Sequence, residues 1–275
     1  MVVLLGLLLS TISPAWAFPP APYYTIYGDV RDAYGDLIPA GDASVILYQG
    51  DKEILRERLT NPGQADHNYQ LRLRIDMMRV ATGSYSSIAL RPDDAFTIAI
   101  NVGGQLFYPL EIAQAPVVGN PAERRRLDLT LGVDSDGDGL PDSWEESQLH
   151  IAGYQPGLDG WDLSLIDRDS DFNNDGISNW ADYTAGTYTD DHTTTLELKV
   201  KEIGSEYMRL EFYAIFGRIY RLEASSDLVT WTPLPFAVSA AEQDTATNTT
   251  LRSETTGVTN VYVSRSNSFF RLISR

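Results

Sequence analysis

DSDGDGLPDSWE, residues 134–145, is the stretch from which the organisation of this chain can be predicted. Oxygen-bearing side chains stand at its positions 1, 3, 5, 9 and 12, and glycine stands at position 6. A related run, DFNNDGISNWAD, begins 37 residues later and spans residues 171–182. This spacing is the ligand pattern of calcium-binding loops, because Ca²⁺ takes six to eight oxygen ligands in a flexible shell. The sequence therefore predicts two calcium ions in the middle of the chain.

The first run has a full set of calcium ligands. Its side chains would give carboxylate oxygens, and a main-chain carbonyl at position 7 would give one more. The predicted ligands are Asp134, Asp136, Asp138, the carbonyl of Leu140, Asp142 and Glu145. Glu145 would bind through both carboxylate oxygens, and Gly139 would allow the sharp turn. Without an ion, carboxylates packed this closely would repel one another.

The second run has a weaker set of ligands. They are Asp171, Asn173, Asp175, the carbonyl of Ile177, Asn179 and Asp182. Two of them are neutral amides, and Asp182 is one methylene shorter than glutamate, so we expect weaker calcium binding at this site. Asp167 and Asp169 lie just upstream, and the spacing leaves open whether they are also ligands. The other interpretation of both runs is an acidic, solvated turn without metal.

The negative charge of the chain is concentrated in the same segment. The whole chain has a net charge of −17, and residues 134–191 contain 15 Asp and Glu against a single basic residue, Arg168. An acidic segment of this kind favours cation binding. It argues against a nucleic-acid partner, which requires a basic surface.

Residues 1–17 have the pattern of a secretory signal peptide, with an apolar run at 2–9 and an Ala-x-Ala cleavage site at 15–17. No basic residue precedes the apolar run, which departs from the usual pattern. The run is too short to span a bilayer, which takes about 20 residues, and no later run is long enough. The chain has no cysteine for a disulfide or a lipid anchor. We therefore expect a secreted protein, extracellular or on the cell surface, with the periplasm as a further possible compartment.

The hydrophobic pattern on both sides of the acidic segment is that of β-strands. Apolar and polar residues alternate at 69–75 and again at 196–200, and Gly- and Pro-containing turns separate such runs. Short strands of this kind predict antiparallel β-sandwiches. The predicted fold is therefore mainly β, with two antiparallel β-sandwich domains joined by a short calcium-binding loop–helix segment. Its predicted divisions are a signal peptide at 1–17, a sandwich at 23–133, the loop–helix segment at 134–191 and a smaller sandwich at 194–275.

A helix is predicted to follow each calcium loop. Asp142 and Glu145 have the spacing of a capping box, and Asn179 would cap the second helix, which Gly186 would end. The tryptophans of both helices are expected to face the core. Trp231, in the last domain, is interpreted as a core residue, with contact to a sugar as the alternative.

Three stretches resemble known families. Residues 134–191 resemble thrombospondin type 3 repeats and dockerin-like units, which are EF-hand-type calcium modules, and Pro141 at loop position 8 separates them from calmodulin-like pairs. YGDVRDAYGDLIPAGDASVILYQG, residues 27–50, resembles the opening of carboxypeptidase-regulatory or transthyretin-like sandwiches. GRIYRLEASSDLVTWTPLP, residues 217–235, with the final FFRLISR, is similar to tail sandwiches of exported bacterial multidomain proteins. The resemblances imply calcium modules and spacer or binding domains, without catalytic residues. Asp182 departs from the glutamate usual at its position.

No catalytic motif accompanies these features, and the three histidines have neither metal nor triad spacing. We therefore expect no enzyme, but a secreted structural or adhesive protein in which Ca²⁺ rigidifies the linker between two β-sandwiches. The alternative is a carbohydrate-binding or enzyme-accessory module of an extracellular polysaccharide-degrading system. A dockerin that docks to a partner domain is the third hypothesis. The expected partner is an extracellular polysaccharide or another surface protein, with no membrane span in the mature chain.

Overall fold

The computed structural model describes residues 21–41, 43–63, 65–77, 86–189, 196–265 and 269–275, with the main chain alone for 243–245. The predicted signal peptide and the boundary predicted at 191–194 lie outside these residues. The described chain is mainly β and contains several antiparallel sheets, which confirms the predicted fold class. The division into two sandwiches stays a prediction.

The strands before residue 131 form the first β module, residues 21–133, which we call the N-terminal β module. They are β1 Tyr24–Gly28, β2 Val30–Arg31, β3 Ala43–Gln49, β4 Lys52–Arg58, β5 Tyr69–Leu73, β6 Thr97–Val102, β7 Gln105–Phe107, β8 Arg124–Arg126 and β9 Leu129–Thr130. One sheet has the order β4-β3-β6-β7 and another the order β5-β1-β8, while β2 pairs with β9. The alternation predicted at 69–75 is present, because Tyr69, Leu71 and Leu73 are buried in the core.

Two strand pairs in this module are parallel, whereas the sequence predicted antiparallel pairing. β1 pairs with β8 and β2 with β9 in the parallel sense. Parallel neighbours require a crossover connection, and here the chain from β2 to β8 passes through the rest of the module before it returns. The register continues between the two pairs, since Leu127 N donates to Tyr27 O at 2.9 Å and Leu129 N donates to Asp29 O at 2.8 Å.

The second β module, residues 196–275, is the C-terminal β module. Its strands are β10 Lys199–Ile203, β11 Tyr207–Ala214, β12 Ile219–Ser225, β13 Thr232–Pro233, β14 Leu251–Arg252, β15 Gly257–Ser264 and β16 Phe269–Ser274. One sheet has the order β10-β11-β15, and β12 pairs with β13, β14 and β16 in another. Leu210, Leu222 and Val261 lie in a separate buried core. The interpretation of Trp231 as a core residue is wrong, because it is half-buried outside that core, with the guanidinium of Arg271 4.4 Å from its ring centroid.

Residues 134–189, which we call the acidic segment, contain two α-helices, α1 Asp142–Ile151 and α2 Asn179–Ala185. Short 3₁₀ turns lie at Leu110–Ile112, Leu163–Leu165 and Ala240–Thr245. The segment has its own apolar cluster, formed by Leu140, Trp144, Leu149, Ile166 and Tyr183. Trp144 is buried as expected, but Trp180 is only partly buried.

The predicted caps of both helices lie one residue too late. α1 is preceded by Pro141, which makes no side-chain cap, and Asp142 is already the first helical residue. α2 is capped by Ser178, whose hydroxyl accepts from Ala181 N at 3.4 Å. The predicted cap residues have other partners, because Asp142 and Asn179 accept hydrogen bonds from main-chain N–H groups of their own loops. Gly186 ends α2 with φ +77°, as predicted.

The two β modules contact each other directly. Asp29 of the N-terminal β module accepts hydrogen bonds from Arg252 of the C-terminal β module at 2.9 and 3.0 Å. Arg218 Nη2 donates to Tyr34 O at 3.1 Å across the same boundary. The acidic segment is therefore not the only link between the two β modules in the described chain, because they are also joined by these hydrogen bonds.

Among the parts of the chain that the structure describes, neither helix has the length and apolar character that a membrane crossing requires.

Candidate metal centre

Three predicted ligands of the first loop lie together. Carboxylate oxygens of Asp134, Asp136 and Asp138 are all within 4.8 Å of one another. Among the described residues, this is the group of acidic side chains whose geometry could hold a metal ion. The structure thus brings positions 1, 3 and 5 of the predicted loop to one point.

Main-chain N–H groups hold these carboxylates in place. Asp134 accepts from Gly137 N at 2.7 Å and from Gly139 N at 3.0 Å. Asp138 accepts from Leu140 N at 2.7 Å. A carboxylate has about four lone-pair sites, so these bonds leave acceptor capacity for a cation. The loop is wrapped around its own carboxylates, and local spacing in the sequence suffices to produce that arrangement.

The second loop repeats the hydrogen bonds of the first at equivalent positions. Position 1 accepts from the N–H of position 6, since Gly176 N donates to Asp171 Oδ2 at 2.8 Å. Position 5 accepts from position 7, since Ile177 N donates to Asp175 Oδ1 at 2.8 Å. Position 9 accepts from position 2 in both loops, with Asp142 in the first and Asn179 in the second. The two runs are therefore similar in conformation as well as in sequence.

Both loops also place left-handed residues at positions 4 and 6. Gly137 has φ +81° and Gly139 has φ +94° in the first loop. Asn174 has φ +59° and Gly176 has φ +91° in the second. Asparagine enters this region more easily than other residues with a Cβ, so it can replace the first glycine.

Glu145, at position 12 of the first loop, gives the strongest indication of a metal site. It is 0% exposed, and neither carboxylate oxygen has a hydrogen-bond partner among the residues that the structure describes. Burial, together with the charges of Asp136, Asp138, Asp142 and Asp134, raises the pKa of Glu145 to about 9. A buried carboxylate beside other carboxylates is costly without a compensating cation. Its environment therefore fits a ligand that binds an ion through both oxygens.

Position 12 of the second loop, Asp182, has less need of a cation. Asp182 is 2% exposed, but its Oδ1 accepts from Thr187 Oγ1 at 2.6 Å. Burial raises the pKa of Asp182 to about 6, with further contributions from the charges of Asp175 and Asp171. The sequence analysis did not identify Thr187, which lies five residues downstream and occupies one acceptor site of the Asp182 carboxylate.

Arg168 connects the two loops. Its main-chain N–H donates to Asp138 Oδ2 at 2.7 Å, and its main-chain O accepts from Trp180 N at 3.0 Å. Its guanidinium lies 3.5 Å from the centroid of the Trp180 ring. A displacement of Asp138, at position 5 of the first loop, would therefore also displace the main chain at the start of α2. One feature of the sequence singled out Arg168, because it is the only Lys or Arg in residues 134–191.

The remaining predicted residues occupy supporting positions. Asp142 accepts from Ser135 N at 2.7 Å and from Ser135 Oγ at 2.6 Å. The main-chain O of Asp167 accepts from Asn179 Nδ2 at 2.8 Å, so Asp167 positions a predicted ligand through its main chain. Leu140, whose carbonyl is the predicted ligand at position 7, is fully buried in the apolar cluster of the segment.

Comparisons of the chain with protein-family models, with curated proteins and with solved structures found no match. The chemistry of the donors is therefore the basis for naming a ligand. All the side chains predicted as ligands carry oxygen, and oxygen donors of this number and charge suit Ca²⁺ better than metals that prefer nitrogen or sulfur. The residues fit a calcium ion in the first loop, and the second loop offers the same arrangement with less charge.

Proposed function

We propose that this protein is a secreted, calcium-binding structural or adhesive protein in which Ca²⁺ rigidifies the segment between two β modules. The observation that carries the proposal is Glu145, which is fully buried beside the cluster of Asp134, Asp136 and Asp138. Within the described parts of the chain, neither of its carboxylate oxygens has a hydrogen-bond partner. The signal-peptide pattern at residues 1–17 supports export. Calcium concentrations outside the cell, in the millimolar range, suit extracellular modules of this class, which bind at about 10⁻⁴–10⁻³ M.

The bound ion would supply positive charge to a site that otherwise concentrates negative charge. Glu145 loses its proton when it becomes a ligand, and the helix that carries it is then tied to the loop. Its neighbour Trp144 packs edge-on against Tyr183 of α2, with ring centroids 5.2 Å apart. The orientation of α1 at the first loop is thereby coupled to α2.

α2 in turn contacts the C-terminal β module. Thr184 Oγ1 lies 3.5 Å from Ser274 Oγ on β16. At the end of α2, an added Cβ on Gly186 would lie 3.1 Å from Arg218 Nε and 3.3 Å from Ile215 Cγ2. Arg218 also binds the N-terminal β module through Tyr34 O. Calcium binding would therefore stiffen a segment that is packed where the modules meet.

The experiment that tests the proposal is calorimetric calcium titration of the mature chain, followed by thermal melting with and without calcium. Calcium should bind and raise the melting temperature, because a ligand that binds only the folded state stabilises it by mass action. Glu145→Gln should abolish the tighter binding event. Glu146→Gln is the matched control, since Glu146 is the exposed neighbour of the buried ligand and should leave binding unchanged. No binding at millimolar calcium, or equal effects of the two variants, would overturn the proposal.

A further inference from the structure

A cleft of about 470 Å³ lies where the acidic segment meets both β modules. Its volume is within the range of about 300–1,000 Å³ that is usual for small-ligand sites. The residues on which the argument depends are Tyr34 and Asp36 of the N-terminal β module, Gln148 of α1, Tyr188 after α2, and Tyr213 and Arg218 of the C-terminal β module. All three parts of the protein thus contribute to one concave surface.

We propose that this cleft binds a neutral carbohydrate, as a short stretch of sugar rings. The inference goes beyond the proposed calcium binding, since it assigns a ligand to a surface that none of the predicted calcium ligands lines.

Aromatic side chains supply the first argument. Tyr34, Tyr188 and Tyr213 are each 51% exposed, although each is large enough to gain from burial. A tyrosine ring has an apolar face and a polar hydroxyl, so it suits a ligand that has both kinds of surface. A sugar ring is such a ligand, because its C–H groups form an apolar face and its hydroxyls lie around the edge.

Charge supplies the second argument. Among the described residues that line the cleft, Arg218 is the cation and Asp36 the anion, so the described lining has no net charge. The strongly acidic chain, with a net charge of −17, disfavours the approach of an anionic ligand. Arg218 disfavours a cationic one. A neutral ligand with many hydroxyl groups fits this balance.

Hydrogen bonds hold the walls in place, one between the two β modules and one within the acidic segment. Arg218, at 2% exposure, forms a buried floor and donates to Tyr34 O at 3.1 Å. Gln148 is also 2% exposed, and its Oε1 accepts from Thr189 N at 3.2 Å, one residue after Tyr188. The tyrosines are therefore carried by main chain that is already fixed, and a preformed site loses less entropy when it binds.

The experiment is a tryptophan-fluorescence titration of the calcium-loaded mature chain, because Trp144 lies in the cleft wall. The probes are the hexasaccharides of cellulose, xylan, mannan, starch and chitin, with an oligogalacturonide as the anionic counterpart. At least one neutral probe should saturate the signal below ~10 mM, a range in which weak sites are still measurable. Tyr188→Ala and Tyr213→Ala should each weaken binding by about threefold to tenfold, as expected for loss of an aromatic contact.

Tyr108→Ala is the matched control, because Tyr108 is 60% exposed and lies outside the cleft lining. The Tyr108→Ala variant should bind the probe with the affinity of the unmodified protein. All three variants should keep the melting temperature of the unmodified protein. Absence of binding by every neutral probe would overturn the inference. Preference for the oligogalacturonide, or equal loss in the control, would overturn it as well. Repeating the titration without calcium separates this result from the calcium proposal, since sugar binding in a chain that binds no calcium would support the cleft alone.

Discussion

Asp29 and Arg252 are separated by 223 residues, and they form an ion pair in the buried boundary between the two β modules, with Arg252 Nη2 2.9 and 3.0 Å from the carboxylate oxygens. Asp29 is 0% exposed, and its Oδ2 also lies 3.2 Å from Arg31 and 3.5 Å from Arg126. Arg252 further donates from Nε to Ala65 O at 2.8 Å. Three guanidinium groups from the two modules thus share one carboxylate, and Arg126 also pairs with Asp128, its Nη2 lying 2.7 Å from Oδ1.

Removal of this carboxylate should weaken the whole assembly. Asp29→Ala leaves Arg31, Arg126 and Arg252 without their shared anion, and loss of one partner of a buried ion pair costs about 3–5 kcal/mol. Urea unfolding measures the free energy of unfolding. Glu53→Ala is the control, because Glu53 forms an exposed pair with Arg56, 43% exposed on each side, and its loss should cost less than about 1 kcal/mol. Equal costs in the two variants would contradict the role assigned to Asp29.

The two calcium loops should bind with different strength. The first loop has five carboxylates, including the unpartnered Glu145, whereas the second has two neutral amides and an Asp182 that already binds Thr187. We expect calorimetry to resolve a tighter and a weaker event. Asp134→Asn should weaken the tighter event by at least about tenfold, and Asp171→Asn should affect the weaker one. Two equal, tight sites would show the ranking to be wrong.

The conformation of the two acidic loops could be predicted from the sequence because it is local, whereas calcium binding by them stays a prediction. Asp134 and Gly139 are five residues apart, and the hydrogen bond between them follows from that spacing. The predicted helix caps were displaced by one residue. A side chain such as Asn179 can accept a hydrogen bond either from the first turn of its helix or from its loop, and the spacing does not say which. Contact between the modules could not be predicted, since Asp29 lies in a run that resembles an ordinary strand and turn. Its partner Arg252 carries no motif.

Calcium-free protein should become less stable as the pH rises. Burial and nearby carboxylates raise the pKa of Glu145 to about 9, whereas the unfolded chain has the ordinary value of 4.5. Between these values the folded state holds a proton that the unfolded state has lost. The free energy of unfolding therefore falls with rising pH, by up to about 1.4 kcal/mol per pH unit. Urea unfolding across this range, in buffers stripped of calcium, measures the slope.

Two comparisons check that this slope comes from Glu145. Glu145→Gln removes the titrating group and should flatten the dependence on pH. Calcium should flatten it as well, because it replaces the proton, and binding near neutral pH should release a proton to the buffer. If the Gln variant keeps the slope of the unmodified protein, another group is responsible.

The same glycine substitution should have different effects in the two loops. Gly139 and Gly176 both stand at position 6, with φ +94° and +91°, so alanine costs about 1–2 kcal/mol of backbone strain at either position. At Gly139 the added Cβ would also lie 2.6 Å from Arg168 Nη1, while at Gly176 it would meet no atom of the described residues within 4 Å. Gly139→Ala should therefore displace the guanidinium from Trp180 and cost about 0.5–1 kcal/mol more. Urea unfolding with tryptophan emission measures both effects, with Gly176→Ala as the matched control. Equal stability and equal emission in the two variants would contradict the link between the loops through Arg168.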